Sequence, residues 1–227
     1  MTATPRAAQK LWYEDACGAA HALELIGERW ALLVVRELMF GPRRFGELRE
    51  GLPGISANVL TQRLEGLEAA RILVRRQMPS PTNVQVYELT PWGYETEPIF
   101  QTLGRWAARS PLHDPSLPLS AASLLLSFGT MLDAKRAKAV DATVGLRIGK
   151  ETFVVRVHLG EIVIRRAELE DVDVTLSGQA AMAFAAVIYG GRPLADAQAD
   201  GSLAVDGNRA TAKTFVSLFR LPTKAGA

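Results

Sequence analysis

The sequence predicts an α+β chain of two domains, a mainly helical N-terminal domain ending in a β-hairpin and a C-terminal antiparallel sheet covered by helices. Three observations predict it. Apolar residues recur at helical spacing before residue 110, apolar and polar residues alternate over 140–176, and three prolines lie between the two patterns. Because the proline-rich segment 110–118 disfavours helix and central strand alike, we expect domains over 1–112 and 119–227.

Composition narrows the class of protein. The 227 residues are 48% hydrophobic and 22% charged, as in folded globular proteins. No apolar run approaches the roughly 20 residues needed to cross a bilayer, and residues 1–10 lack the apolar core of a signal peptide. We therefore expect a cytoplasmic protein with no membrane partner. One cysteine and three scattered histidines predict neither a disulfide nor a metal site, and we expect no cofactor.

Four helices and a hairpin are predicted in the first domain. The helices span about 16–25, 30–40, 45–50 and 56–69, and the strands 72–78 and 84–90 flank the turn-forming segment 79–83. Ser56 is a good N-cap for the fourth helix. Helix, break, helix and hairpin is the order of a winged helix-turn-helix, whose second helix enters the major groove of DNA while the hairpin, or wing, reaches the backbone or minor groove.

The predicted helix over 56–69 has two contrasting faces. Leu60, Leu64 and Leu67 form an apolar stripe. The opposite face carries short or planar hydrogen-bonding side chains that suit base edges: Asn58, Thr61, Gln62 and Glu65. Plain solvent exposure is the alternative interpretation of this face. The whole chain carries a net charge of +2, whereas residues 29–76 alone hold nine arginines and five glutamates.

Further DNA contacts are predicted around this helix. Arg43 and Arg44 precede the helix over 45–50, and arginine offers forked donors to a phosphate. A solvated turn is the alternative for both. Arg63 lies between the apolar stripe and the polar face. Thr82 and Asn83 lie in the hairpin turn, where asparagine commonly serves the turn itself. The predicted DNA-binding set is Arg43, Arg44, Ser56, Asn58, Thr61, Gln62, Arg63, Glu65, Thr82 and Asn83.

Several short motifs follow one another over roughly residues 10–110. They are Cys17, Ala22-Leu23, Gly27–Trp30, Gly41–Leu48, Gly54–Ser56, Leu60–Leu64, Leu67-Glu68, Val86–Thr90 and Gly93. In this order they resemble the HxlR-type branch of bacterial winged-helix regulators, with departures at Glu28 and Ala70-Arg71. The resemblance implies a homodimer that binds an inverted repeat in double-stranded DNA. It also implies that flanking helices, including one over about 94–109, build the dimer contact.

Cys17 has two interpretations. Several members of the resembled family use a cysteine near this position to sense oxidants or electrophiles, which makes Cys17 a candidate redox residue. A reactive thiol needs positive surroundings and exposure, whereas the neighbouring Glu14 and Asp15 would raise the pKa of the Cys17 thiol. We therefore expect a buried structural cysteine.

The second half predicts four strands in an antiparallel meander. Ala142, Val144, Leu146 and Ile148 share one face, and the same alternation returns over 153–159, 162–164 and 172–176. Two-residue turns at Gly149-Lys150 and Gly160-Glu161 would set Arg156 between Thr143 and Arg165, with Asp141 or Asp173 between the two arginines. Helices over 121–134 and 180–189, and a last one capped by Asn208, would cover the apolar face.

The phrases Asp173–Gly178 and Asp200–Gly207, each before a predicted helix, are similar to those of sterol carrier protein type 2 domains. The resemblance spans residues 120–221 and implies an apolar tunnel for lipids or fatty acyl groups. A fatty acid or another apolar small molecule is therefore a candidate partner. Four phenylalanines are candidate tunnel residues, with plain core packing as the alternative: Phe128, Phe153, Phe184 and Phe215.

These patterns predict a dimeric transcriptional regulator, with control by an apolar ligand in the C-terminal domain as a hypothesis. Two alternatives stay open: a redox- or electrophile-sensing regulator acting through Cys17, and a lipid- or acyl-binding carrier or enzyme with an accessory DNA-binding domain. No Ser-His-acid set, glycine-rich phosphate loop or carboxylate pair stands in a catalytic motif. We therefore expect no catalytic residues and no enzyme.

Overall fold

A computed structural model describes residues 13–79 and 82–226. The expectations for residues 1–12, including the absence of a signal peptide, and for positions 80 and 81 of the hairpin turn lie outside these ranges. The N-terminal elements are α1 (Gly18–Ile26), α2 (Ala31–Leu38), α3 (Phe45–Gly51), α4 (Ala57–Ala69), β1 (Leu73–Gln77), β2 (Gln85–Leu89), α5 (Pro91–Tyr94) and α6 (Glu97–Ala108). The C-terminal elements are α7 (Ala121–Met131), α8 (Ala134–Ala137), β3 (Ala142–Ile148), β4 (Glu151–His158), β5 (Glu161–Arg166), β6 (Val174–Gly178), α9 (Ala181–Ile188), α10 (Leu194–Ala199), β7 (Ala204–Gly207) and α11 (Arg209–Val216).

The N-terminal half is a winged helix-turn-helix, as predicted. In α4 the stripe of Leu60, Leu64 and Leu67 is buried, and the Ser56 hydroxyl accepts a hydrogen bond from the Val59 amide at 3.3 Å. Strands β1 and β2 pair antiparallel from Leu73 opposite Leu89 to Gln77 opposite Gln85. The two strands of the wing therefore come directly after α4 in the chain.

The C-terminal sheet differs from the predicted meander. Its strand order is β5-β4-β3-β6-β7, and β6 pairs parallel with β3, with Val144 opposite Val174. The chain from β5 to β6 crosses the outer sheet face, where Leu169 and Val172 lie over Gly145. Alternation along a strand reveals which side chains are buried but not which strand is its neighbour, so the crossover was not predicted.

The second predicted turn is displaced by one residue. Leu159 and Gly160 form the turn with φ angles of 52° and 87°, and His158 lies opposite Glu161. Arg156 therefore lies opposite Val163 instead of Arg165, which corrects the expected pair of opposed arginines. The expected acid is nevertheless present, because Asp141 forms an ion pair with Arg156.

The four candidate tunnel phenylalanines form part of a solid core. Each is at most 1% exposed. The rings of Phe128 and Phe215 lie edge to face with centroids 5.7 Å apart, and Phe219 stacks on Phe128 at 4.6 Å. Phe153 packs edge to face on Phe40 of the N-terminal half at 6.1 Å. Since these rings fill the space between the helices and the sheet, they pack as core residues, which was the alternative interpretation, and a tunnel lined by them stays a prediction.

The two halves share packing across the proline-rich segment. Leu126 of α7 belongs to the buried N-terminal cluster, and Phe40 packs against the clusters of both halves. Lys224 donates hydrogen bonds to the carbonyl groups of Ala108, Ser110 and His113. The helices within 13–79 and 82–226 include none long and apolar enough to span a membrane.

Candidate nucleic-acid interface

The exposed face of α4 is the centre of the candidate interface. Asn58, Thr61, Gln62 and Glu65 are all exposed. The capped first turn and the buried leucine stripe fix the orientation of α4, so these four side chains face solvent together. Such a fixed row of amide, hydroxyl and carboxylate groups matches the donors and acceptors of base edges.

Arg44 is exposed at the N-cap of α3. Its backbone amide donates a hydrogen bond to the Glu47 carboxylate at 2.7 Å, which fixes the first turn of α3. The Arg44 guanidinium therefore starts from an ordered backbone position suited to a phosphate contact.

Arg43 is placed differently from the expectation. Its side chain is only 9% exposed, and its Nη2 lies 2.7 Å from Oε2 of Glu151 on β4. The backbone of Arg43 exchanges hydrogen bonds of 2.9 and 2.8 Å with Tyr87, so residue 43 forms an antiparallel bridge to strand β2 of the wing. Arg43 thus faces the C-terminal half and not solvent, and its contact with a phosphate stays a prediction. Its partner lies too far along the sequence to be found by local reasoning.

A second arginine joins the same carboxylate. Nη1 of Arg166 lies 2.8 Å from Oε2 of Glu151. The oxygen is buried, and both contacts are close ion pairs whose geometry falls outside that of a directed hydrogen bond. Burial and then the nearby charge of Arg43 lower the pKa of Arg166.

Arg63 is held by the turn before α2. Its Nε donates to the Arg29 carbonyl at 3.0 Å, and its Nη2 lies 3.0 Å from the Glu28 carboxylate. Glu28 is one of the positions at which the sequence departs from the resembled family. The guanidinium of Arg63 thus has an intramolecular role that links α4 to the α1–α2 turn.

At the wing, Thr82 and Asn83 are exposed. Asn83 adopts a φ of 36°, and its backbone and side-chain oxygens accept hydrogen bonds from Gln77 Nε2 at 2.9 and 3.0 Å. Asn83 therefore stabilises the turn and is also exposed, so its contact with DNA stays a prediction. Two exposed wing arginines, Arg75 and Arg76, lie outside the predicted DNA-binding set and pair with Glu68 and Glu88. Their local basic charge was the available signal.

Cys17 contradicts the expected burial. The thiol is exposed and stands at the N-cap of α1. The backbone N–H groups of Ala19 and Ala20 lower the pKa of the Cys17 thiol, opposite to the direction expected from Glu14 and Asp15. Amides at a helix start stabilise a negatively charged sulfur, and this effect outweighs the neighbouring carboxylates.

An apolar groove lies where α1, α2 and α6 meet, with a volume of 340 Å³. Leu23, Leu33, Ile99 and Leu103 line it and are each at least 37% exposed, and Trp106 further along α6 is 72% exposed. A contiguous exposed apolar surface of this kind is typical of a protein–protein contact.

The sequence of the N-terminal half matches a known family. Residues 25–113 match the family model of HxlR-like helix-turn-helix proteins. The transcriptional regulator YodB of Bacillus subtilis (strain 168) is 38% identical over 86 residues, which span 38% of this chain and 77% of YodB. The chain belongs to the HxlR-like helix-turn-helix family. Another relative, the HTH-type transcriptional regulator sll1512 of Synechocystis, is 42% identical over 37% of this chain and 62% of its own length.

Solved structures include similar chains. Reduced YodB is 34% identical with a TM-score of 0.40 and covers 44% of this chain and 100% of its own. Quinone-bound YodB is 36% identical with a TM-score of 0.35, over 39% of this chain and 93% of its own. The family assignment rests on the sequence matches.

The C-terminal half matches a different family model. Residues 116–225 match the alkyl sulfatase C-terminal model. The sec-alkylsulfatase Pisa1 of a Pseudomonas species is 18% identical with a TM-score of 0.40, over 48% of this chain and 16% of its own. The resemblance of this half to sterol carrier protein type 2 is not confirmed by these matches and stays a prediction.

Proposed function

We propose that the protein is a homodimeric transcriptional regulator whose α4 helix reads an inverted repeat in the major groove. The observation that carries the proposal is the exposed row Asn58, Thr61, Gln62 and Glu65 on a helix fixed by its cap and its buried stripe. Arg44, Ser56 and the wing residues Thr82 and Asn83 would contact the flanking backbone. A cytoplasmic location follows from this role and is part of the proposal.

The apolar groove between α1, α2 and α6 supports the homodimer. A second copy of the chain would cover Leu23, Leu33, Ile99 and Leu103, which are otherwise exposed. A twofold dimer presents two α4 helices to two half-sites, and the symmetry of the bound DNA would then mirror that of the protein.

Selection of bound sequences from random DNA tests the proposal. We expect the purified protein to enrich an inverted repeat with half-sites about one helical turn apart. Enrichment of no sequence above background would contradict sequence-specific reading by α4.

Variants separate base reading from phosphate contact. Gln62→Ala should relax selection at one position and cost about 1–3 kcal/mol of discrimination between bases. Arg44→Ala should weaken binding to all DNA sequences by a similar factor. It should also lower the slope of log affinity against log salt concentration by about one. Gln179→Ala removes an exposed glutamine of the C-terminal half and serves as the control. Equal losses in all three variants would argue against the proposed interface.

A cleft between the halves supports control of DNA binding by an apolar small molecule such as a fatty acid. Met39 and Phe40 face Leu125, Ile162 and Ile164 across a cavity of 200 Å³, and ligand pockets are frequent at domain interfaces. Titration with fatty acids should change both the melting temperature and the DNA affinity. A ligand that raises the melting temperature but leaves DNA affinity unchanged favours the carrier or enzyme alternative, which the alkyl sulfatase match also supports. If neither quantity moves, ligand control is wrong.

A second candidate function is electrophile sensing. It is favoured by the exposed, acidified thiol of Cys17. The relative YodB has been crystallised quinone-bound and after diamide treatment. Treatment with a quinone should lower the DNA affinity of the wild type and leave Cys17→Ser unchanged. An equal response in both proteins would exclude this role for Cys17.

A further inference from the structure

Two polar contacts from the C-terminal half lie at the two ends of α3, the first helix of the helix-turn-helix. At its start, Glu151 of β4 binds Arg43. At its end, the Glu37 carboxylate lies against Gly51 and accepts a hydrogen bond from Ser120 at 2.7 Å. We call these contacts the Glu151 joint and the Glu37 joint.

The Glu151 joint reaches both the wing and α3. Arg43 immediately precedes the N-cap of α3, and its backbone exchanges two hydrogen bonds with Tyr87 of β2. Arg166 braces the joint from β5, because its Nε donates to the Phe40 carbonyl at 3.2 Å and its guanidinium lies over Phe153 at 5.0 Å. A movement of Glu151 would therefore move the wing and the start of α3 together.

The Glu37 joint holds the other end. Glu37 is only 3% exposed, and its Oε1 also accepts from Arg36 Nε at 2.9 Å. A Cβ atom on Gly51 would lie 2.5 Å from Glu37 Oε2, so the last turn of α3 lies directly on this carboxylate. Ser120 is the N-cap of α7, which ties the carboxylate to a helix of the C-terminal half.

We propose that Glu151 and Arg166 are positioning residues for DNA binding, through which the C-terminal half fixes the geometry between α3, α4 and the wing. Loss of Glu151 would leave the buried guanidinium of Arg43 without its counter-ion, which is strongly unfavourable unless the backbone around residue 43 shifts. The effect on DNA affinity rests on the proposed function. The effect on the backbone does not.

The test compares Glu151→Gln with Asp141→Asn in the full-length protein. Asp141 forms an ion pair with Arg156 on the outer face of the same sheet and serves as the matched control. Hydrogen exchange without DNA should be faster in Glu151→Gln at the amides of Leu48 and Tyr87, which bond to Arg44 and Arg43. Affinity for the DNA selected by the wild type should fall about tenfold. Asp141→Asn should leave both quantities unchanged.

Arg166→Gln keeps the proposal testable if Glu151→Gln does not fold. Arg166 is 32% exposed, and its loss leaves the Arg43–Glu151 pair in place, so we expect the same changes at a smaller magnitude. Unchanged exchange at Leu48 and Tyr87 in a folded variant would overturn the proposal. Wild-type protein that binds no DNA would contradict the proposed function, while the exchange measurement would still decide whether the joint positions α3.

Discussion

At the scale of single residues, helix periodicity predicts which side chains are exposed, but it does not predict which residues form ion pairs. Asn58 and Gln62 are exposed as predicted, because local spacing on α4 decides which side faces the core. Arg43 and Arg63 were grouped with them but have intramolecular partners, at Glu151 and at Glu28. These ion pairs join residues distant in sequence, and no periodicity reports them.

Cys17 shows a second limit at this scale. Counting Glu14 and Asp15 predicted a raised thiol pKa, whereas the amides of Ala19 and Ala20 lower it. The start of a helix brings several free backbone N–H groups together, and a count of charged side chains does not include them.

The lowered pKa gives a measurable pH dependence. Because the thiolate is the nucleophile, alkylation of native protein by iodoacetamide should reach half its maximal rate at a lower pH than alkylation of the same protein unfolded in urea. Cys17 is the only cysteine, so Cys17→Ser gives the background. A midpoint in the native protein equal to or above that in urea would contradict the assignment.

At the scale of elements, helices were predicted more closely than strand pairing. The bounds of α3 and α4 agree with the sequence to about one residue, because glycine, proline and a capping serine punctuate them. The β3–β6 pairing joins strands separated by two others in sequence, which local alternation does not encode. The turn at Leu159-Gly160 was missed because leucine with a positive φ breaks the usual turn rule.

This turn predicts opposite effects for two neighbouring substitutions. Leu159→Asn should raise the free energy of unfolding by about 0.5–1 kcal/mol, because asparagine tolerates the left-handed conformation and the leucine side chain is 70% exposed. Gly160→Ala should lower it by about 1 kcal/mol or more, since its φ is 87° and the new Cβ would lie 3.0 Å from the Ala134 carbonyl oxygen. Urea unfolding of both variants checks this, and a change of the same sign in both would contradict the turn geometry.

At the scale of the whole molecule, the exposed groove between α1, α2 and α6 predicts an assembly. Leu103→Asp places a charge in this groove and should convert dimers to monomers in sedimentation velocity, with a parallel loss of DNA affinity. Leu117→Asp adds the same charge at a position 62% exposed in the proline-rich segment and is the control. If Leu103→Asp remained dimeric, the groove would not be the dimer interface.

Leu126 has a consequence for how the chain unfolds. This side chain of α7 completes the core of the winged helix, although it follows the proline-rich segment in sequence. A winged helix severed from α7 would therefore open a hole in its own core, at the place where Leu126 is now 6% exposed. We therefore expect the halves to melt as one cooperative unit, and we expect a protease cut within 110–118 not to release an independently stable winged helix.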